Sequence, residues 1–388
     1  MRSLLPIAAL AVCTSACGSN EEPAGSAGSA GAAGDDSGAG ASGGAAGAGG
    51  AAGAPSYPPA FTIDAFDDVR ITSDSSKENF QAADADVDLG DAPFEKVTLV
   101  ADLASTCYPF DTWQNNKPPA GQNWPADCDA FDRNYEFSFD DPKIDGDPPG
   151  IELVRAITPF GGPLHMDIDI TDVANGLPGK HRLRVVIPTW SDGAGLSTGS
   201  NGGWNVTAKI EVVPGKAPRD VLAVIPLFDG SQGAPEPVSA IDFATPEGTA
   251  TARLEYRVTG HGGVQFAPGC APTTPAEEFC NRTHTIFVDE AVLDEKVPWR
   301  DDCDTLCTLQ HQGPASGGFD YCAENPCGAI DSVKAPRSNW CPGSITPPFT
   351  WDSDSLHTPG AHTFRWGISD VASGGSWRIS ATYFAFGT

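Results

Sequence analysis

Two short segments bring together the side chains that acid–base chemistry needs. Cys128-Asp129-Ala130-Phe131-Asp132-Arg133 and Glu277-Glu278-Phe279-Cys280-Asn281-Arg282-Thr283-His284-Thr285 each set carboxylates, an arginine and an aromatic beside a cysteine. A carboxylate held in a cleft can take or give the proton of a water, and a disulfide next to it would fix the loop that carries it. The same composition also describes an ordinary surface ion pair beside a structural disulfide, and spacing alone favours that plainer reading.

Other candidates lose weight once their spacing is compared with the chemistry. Asp84, Asp86, Asp88 and Glu95 fall at the first, third, fifth and twelfth places of a calcium loop, but Leu89 stands where that loop needs glycine and Pro93 interrupts it. The alternation of Ala83, Ala85, Val87 and Leu89 predicts a strand with its aspartates in water. Asp140, Asp141, Asp145 and Asp147 read as an exposed turn. The 7 histidines are scattered with neither an HxH pair nor an HExxH motif, and zinc at the cysteines lacks ribbon spacing, so no metal is expected. Gly195-Leu196-Ser197-Thr198-Gly199 matches a serine-hydrolase elbow, as do residues 40–44, yet neither lies between a strand and a helix.

The elements that must position such residues are strands. The chain has 388 residues with 44 Gly, 34 Pro and 2 Met, a composition of turns and short strands rather than helical bundles. Its net charge of −28 repels phosphate backbones and anionic lipid, which sets aside nucleic acid as a partner and a polybasic membrane-surface role. Val206, Ala208, Ile210 and Val212 alternate with polar neighbours, as do Met166, Ile168 and Ile170. Similar runs recur from Val97 to Leu103, at Leu254, Tyr256 and Val258, at Phe364, Trp366 and Ile368, and from Trp377 to Phe386. Many short antiparallel strands over this length predict two sandwiches or jelly rolls, divided at Val213-Pro214-Gly215-Lys216-Ala217-Pro218, giving domains 61–216 and 217–388.

The first residues read as an address. Met1-Arg2, the apolar run Ser3 to Val12 and Thr14-Ser15-Ala16-Cys17 form a secretory signal over residues 1–17, whose end resembles a bacterial lipobox with Cys17 as the lipidated residue and Cys13 as a weaker competitor. Residues 18–60 are a Gly/Ala/Ser-rich disordered tether with a reach of about 35 Å. The expected location is the bacterial cell envelope, as an outer-membrane lipoprotein or a secreted protein, touching membrane only through its lipid. The cysteines suit an oxidising compartment: Cys107 and Cys128 lie in the first half and seven more in the second, so at least one body thiol is left over. A bridge between Cys107 and Cys128 would contribute about 3 kcal/mol in the chain-entropy account, while spacing leaves the connectivity open.

Five motifs in one order then resemble the peptide:N-glycosidase F family: Cys128-Asp129-x-x-Asp132-Arg133, Ile157-Thr158-Pro159-Phe160, Met166 to Asp172, Glu278-Phe279-Cys280-x-Arg282-Thr283-His284-Thr285-Ile286, and Asn339-Trp340-Cys341-Pro342-Gly343. The resemblance spans nearly all of residues 61–388 and implies an all-β fold of two consecutive eight-stranded antiparallel jelly rolls with the active site between them. The implied activity is hydrolysis of the amide joining the innermost N-acetylglucosamine of an N-glycan to asparagine, on N-glycosylated proteins or glycopeptides, without a cofactor and as a monomer.

Carried over residue by residue, Asp132 resembles the principal catalytic acid and Glu278 the second carboxylate. Arg133 would orient Asp132, Arg337 resembles a sugar-contacting arginine, and Trp190 and Trp340 resemble aromatics that stack on sugars. Cys107, Cys128, Cys270, Cys280, Cys322 and Cys341 form the expected disulfide set, with no counterpart for Cys303, Cys307 and Cys327. One departure touches the chemistry: Pro188 occupies the place of the family's third cleft carboxylate, and Asp192 is the residue that would compensate. A glycan-binding lipoprotein with impaired turnover is therefore the rival reading, and a copper-type monooxygenase on a paired jelly roll a more distant one.

Overall fold

Alternation of apolar and polar residues governs most of the strands. The computed structural model describes residues 56–107, 116–140, 150–263, 270, 276–314 and 317–388. In its first half run β1 (Phe61–Thr72), β2 (Ala82–Asp88), β3 (Phe94–Ala104), β4 (Asn134–Phe139), β5 (Ile151–Ile157), β6 (Leu164–Asp169), β7 (Lys180–Val186) and β8 (Gly203–Pro214). Val206, Ala208, Ile210 and Val212 are buried along β8 while Thr207 and Glu211 face solvent, as the period of two requires. Asp84, Asp86 and Asp88 project from the exposed face of β2, whereas of the second acidic group only Asp140 lies within the described residues.

The second half supplies β9 (Val221–Gln232), β10 (Ile241–Thr245), β11 (Thr251–Gly262), β12 (His284–Val288), β13 (Ala291–Lys296), β14 (Leu309–Gln312), β15 (Phe319–Cys322), β16 (Ile345–Thr346), β17 (Phe349–Trp351), β18 (Gly360–Ile368) and β19 (Gly375–Phe386). The sheets have the orders β1-β8-β3-β6, β16-β5-β4-β7-β2, β10-β18-β12-β13 and β17-β11-β19-β9, with β14 and β15 as a separate hairpin. Every pairing of these strands is antiparallel. One core, around Phe66, Leu99, Phe137, Leu183 and Trp204, lies between the first two sheets; another, around Leu254, Tyr256, Trp366, Trp377 and Ile379, lies between the next two.

The exception to alternation is β5, buried along its whole length. Leu153 is an extra residue in the β4–β5 pairing, since Val154 faces Phe137 and Glu152 faces Ser138. That bulge turns Glu152 and Arg155 to the same face, together with Glu136. There Arg155 bonds Glu152 at 2.9 and 2.7 Å and the Arg378 carbonyl at 2.6 Å, while Arg378 of β19 reaches back to Glu136 at 2.7 Å. The two halves thus meet through a buried polar seam, and the β16–β5 pairing gives the second half a strand in a first-half sheet.

Candidate active site

Asp132 sits in the loop that follows the Cys107–Cys128 disulfide. Its neighbours fix that loop from several sides. Thr158 donates its hydroxyl to the Phe131 carbonyl at 2.9 Å and accepts the Arg133 amide at 2.8 Å, while Thr198 donates to the Cys128 carbonyl at 3.1 Å. Asp129, fully buried, receives Arg133 Nε at 2.9 Å, Arg133 Nη2 at 3.2 Å, the Phe131 amide at 3.1 Å and the Thr189 hydroxyl at 2.6 Å. Four donors on one buried carboxylate satisfy it and clamp the loop against Thr189, the neighbour of Trp190.

The second half brings Glu278 and Arg337 to meet it. Glu278 lies in a 3-10 turn, Glu277–Phe279. Glu277 anchors that turn: it accepts Arg282 at 2.8 and 3.0 Å, the Trp377 indole at 2.8 Å and the Ala372 amide at 2.7 Å. Ser338 then ties the turn to Arg337, its amide donating to the Glu278 carbonyl at 2.7 Å and its hydroxyl to the carbonyls of Glu277 and Cys280 at 2.7 and 2.8 Å. Arg337 pairs its backbone with Arg300 in both directions at 2.9 Å, lies over the rings of Phe279 and Trp340, and places Nη2 3.9 Å from Asp132 Oδ2. Asn339, at φ +65°, turns the chain so that Arg337 and Trp340 share this wall; its amide donates to the Val258 carbonyl at 2.8 Å.

Burial sets the electrostatics. It pushes the Asp132 carboxyl up to about 6, against the opposing pull of Arg337 and then Arg133, with Asp129 adding to the rise. Burial and then the charge of Asp132 push Glu278 up to about 7, with Arg337 opposing. Near neutral pH the arrangement favours one ionised and one protonated carboxyl beside one arginine, which is the division of labour that acid–base hydrolysis requires. His261, stacked on Trp340 at 5.4 Å, is driven down to about 3 by burial and then by Arg155, Arg378 and Arg337, so it is a neutral wall residue.

Several site expectations change in detail. Arg133 does not bond Asp132; the four-residue return of the loop gives it to Asp129 instead. Trp340 is only 1% exposed, with Arg337 and His261 over its ring and its indole donating to the Gly260 carbonyl at 2.9 Å, so it supports the wall rather than offering a face to sugar. Arg337 is equally buried, and meets the cleft only beside Asp132. Trp190, by contrast, is 49% exposed and follows the exposed Pro188. Asp192 is committed to its own loop, where its two oxygens accept the amides of Ala194, Gly195, Leu196 and Ser197 at 2.7–3.0 Å; these bonds hold its carboxyl low. The elbow-like Ser197 belongs to that turn.

Four disulfides join Cys107 to Cys128, Cys270 to Cys280, Cys303 to Cys341 and Cys307 to Cys322. Cys303 and Cys307 thus enter the bridged set, as partners of Cys341 and Cys322. Cys327 is the free thiol among the described residues, pushed up to about 12 by burial. Cys13 and Cys17 lie outside the described residues. Among the described residues two groupings have a metal-like arrangement, Cys270/Glu277/Cys280 and Asp302/Cys303/Cys341, but both draw on disulfide sulfurs. His284 points into the core, bonding the Tyr256 hydroxyl at 2.9 Å. Asp129, Glu277 and Ser338 were missed as organisers of the site; an acidic residue adjoining each candidate carboxylate's motif was the available signal for the first two, and nothing local marks Ser338.

Comparison with known proteins follows the same lines. Residues 234–383 match the family model "Peptide-N-glycosidase F, C terminal". The chain is 26% identical over 236 residues to the peptide-N(4)-(N-acetyl-beta-D-glucosaminyl)asparagine amidase F of Elizabethkingia miricola, and the match spans 57% of each chain. The structure of PNGase F, a glycosylasparaginase from Flavobacterium meningosepticum, superposes with a TM-score of 0.61 at 18% identity, over 85% of this chain and 96% of that one. PNGF-II superposes at 0.60 and 20% identity, over 84% of this chain and 65% of that one. The fold is therefore shared across nearly the whole described body, and residues 234–383 are similar to the C-terminal part of the peptide-N-glycosidase F family.

Proposed function

We propose that this protein is a peptide-N-(N-acetyl-β-glucosaminyl)asparagine amidase, hydrolysing the bond between asparagine and the innermost N-acetylglucosamine of N-glycans. The observation that carries this is the meeting of Asp132 from the first half with Glu278 and Arg337 from the second, both carboxyls raised toward neutrality. In this reading ionised Asp132 takes a proton from water as the water oxygen attacks the side-chain amide carbon. Protonated Glu278 donates a hydrogen bond to the amide oxygen as charge builds on it. The carbon–nitrogen bond then breaks, the nitrogen leaves with the sugar as a glycosylamine carrying the proton from Asp132, and aspartate remains in the peptide. Exposed Trp190 is the aromatic placed to stack on a sugar face.

Mass spectrometry of a denatured N-glycoprotein incubated with the protein tests the reading. Released glycan with asparagine converted to aspartate, absent with Asp132→Asn, is the expected outcome; no conversion across a panel of glycans and pH values would sink it. A binding module with impaired turnover is the second reading, favoured by Pro188 at the cleft and by Asp192 being spent on its own loop. Pro188→Glu separates the two, because turnover gained only in that variant identifies a cleft that lacks its third carboxylate.

Each half supplies two sheets of four of its own strands, with β16 added to one of the first half's sheets, which supports assigning eight-stranded jelly rolls to 61–216 and 217–388. The apolar run and lipobox-like end of residues 1–17 support export and a lipid at Cys17, with residues 18–60 as tether. The described residues include no helix long and apolar enough to cross a membrane.

A further inference from the structure

One face of β11 follows the seam and ends at the candidate site. Along this strand Leu254, Tyr256 and Val258 enter the core, while Arg253, Glu255, Arg257, Thr259 and His261 share the opposite face. That face meets the first half. Arg253 bonds Asp172 at 2.7 Å, Arg257 donates to the carbonyls of Glu152 and Leu153 at 3.0 and 3.3 Å, and Arg155 Nη1 donates to the Thr259 hydroxyl at 3.3 Å. His261, the last of the row, sets Nε2 2.8 Å from the same hydroxyl and stacks its ring on Trp340. The segment from Arg337 to Trp340 is stitched to this stretch of β11. The Gly260 amide donates to the Ser338 carbonyl at 3.1 Å, the Trp340 indole to the Gly260 carbonyl at 2.9 Å and Asn339 to the Val258 carbonyl at 2.8 Å. A Cβ on Gly260 would lie 2.8 Å from Ser338 Cβ, so glycine permits the close approach.

The hydrogens along these contacts can be assigned. A guanidinium only donates, so Thr259 Oγ1 accepts from Arg155, and its one hydrogen is left for His261 Nε2. His261 is neutral near pH 7, so Nε2 accepts and the ring hydrogen stays on Nδ1. The buried cation of the seam thereby fixes the tautomer and orientation of an imidazole that lies on Trp340. Trp340 in turn carries Arg337, whose Cζ is 4.6 Å from its ring and whose Nη2 is 3.9 Å from Asp132 Oδ2.

We propose that Thr259 and His261 are positioning residues: the contacts from Arg155 through Thr259 and His261 hold Trp340, and through it Arg337, against Asp132. The use made of Arg337 there rests on the amidase reading; its being held there does not. Among the described residues, the charged groups acting on the carboxyl pair are Arg337, Arg133 and Asp129, and those acting on His261 are Arg155, Arg378 and Arg337. Arg337 favours the ionised form of both Asp132 and Glu278. An Arg337 released from its hold therefore leaves both carboxyls weaker acids.

Thr259→Val keeps the shape of the side chain and removes the hydroxyl, while Arg155 Nη1 retains the Arg378 carbonyl at 2.6 Å. Carboxyl titrations by NMR, on the full chain with carbon-13-labelled aspartate and glutamate, read the result without turnover. In Thr259→Val and in His261→Phe, Asp132 and Glu278 are each expected to become about tenfold weaker acids, and Thr259→Ser, which restores the hydroxyl, is expected to titrate as the unaltered protein does. On a glycopeptide carrying the two core sugars, the first two variants should lower kcat about tenfold with KM little changed and move both limbs of the pH–rate profile to higher pH. Ser380→Ala removes a different hydroxyl from the seam, one that donates to Glu152, and is expected to leave both titrations in place. Unmoved titrations in both Thr259→Val and His261→Phe overturn the proposal, as does an equal move in Ser380→Ala, which would mark a general loosening of the seam. If the unaltered protein cleaves no glycoprotein or glycopeptide, the amidase reading fails, and the titrations still decide whether these residues hold Arg337.

Discussion

At the scale of single residues, the carboxyl pair dictates how the protein responds to pH. In the proposed reaction Asp132, at about 6, must be ionised to act as base, and Glu278, at about 7, must be protonated to donate. We expect kcat/KM to peak between these values, falling on the acid side as Asp132 gains its proton and on the alkaline side as Glu278 loses one. Glu278→Gln should lower activity and remove the alkaline limb while keeping the acid limb, read from a pH–rate profile. The same shift affects stability. A carboxyl raised in the folded state holds a proton that the unfolded chain has released, so stability falls as pH rises from the ordinary glutamate range through about 7. Glu278→Gln is therefore expected to raise Tm at pH 8.5 and to change it little at pH 4; an equal effect at both would show that Glu278 is not raised. Only part of this was legible in the sequence. The motif pointed to Asp132 and Glu278, but their raised values come from burial between two halves that are far apart in the chain.

At the scale of elements, the Asp132 loop is held by groups that never need to touch substrate. Asp129 is buried under four hydrogen bonds, so Asp129→Ala leaves Arg133 and Thr189 without their acceptor and should cost about 3–5 kcal/mol in urea unfolding. Thr189→Val removes one bond to that carboxylate and should cost about 1–3 kcal/mol, with kcat falling more than KM changes. Strand positions in β3 and β8 followed the alternation closely because one face of each sheet is buried. The pairing of Arg133 did not follow from adjacency to Asp132, because a loop that doubles back within four residues brings the guanidinium to Asp129. Trp340 was legible as an aromatic near the site, but not as a buried one. Its exposure depends on Arg337 and His261, which come from other parts of the second half.

At the scale of the whole molecule, the seam between the halves is polar and buried. Arg155 is fully buried against Glu152 and Glu136, Arg378 joins Glu136 and Asp229, and Ser380 donates to Glu152. Burial, followed by the opposing charge of Arg378 and the added repulsion of Glu152 and Glu136, leaves Asp229 raised to about 6. Arg155→Met strips one partner from this network and leaves two buried carboxylates under-paired, so a loss of about 3–5 kcal/mol is expected. Because Asp132 and Arg337 approach each other across the same junction, activity should fall further than stability alone accounts for. Thermal unfolding followed by the near-ultraviolet signals of each half's tryptophans should then show separated transitions; a single unchanged transition would mean that the seam does not couple the halves.

The sequence by itself determined the class of the fold and which faces of its strands are buried, because alternation is a local property that survives without a partner, and its motifs singled out Asp132 and Glu278 as candidates. It also determined that one body thiol is unpaired, by count. Which thiol that is, which residues pin the Asp132 loop, and which aromatics reach the surface were decided only in the tertiary structure. Those depend on contacts between segments distant in the chain: Thr189 lies 60 positions from Asp129, and Trp377 lies 100 from Glu277. Burial, charge pairing and exposure are set by what closes over a side chain, and here that closure comes from segments distant in sequence, within the same half and across the seam.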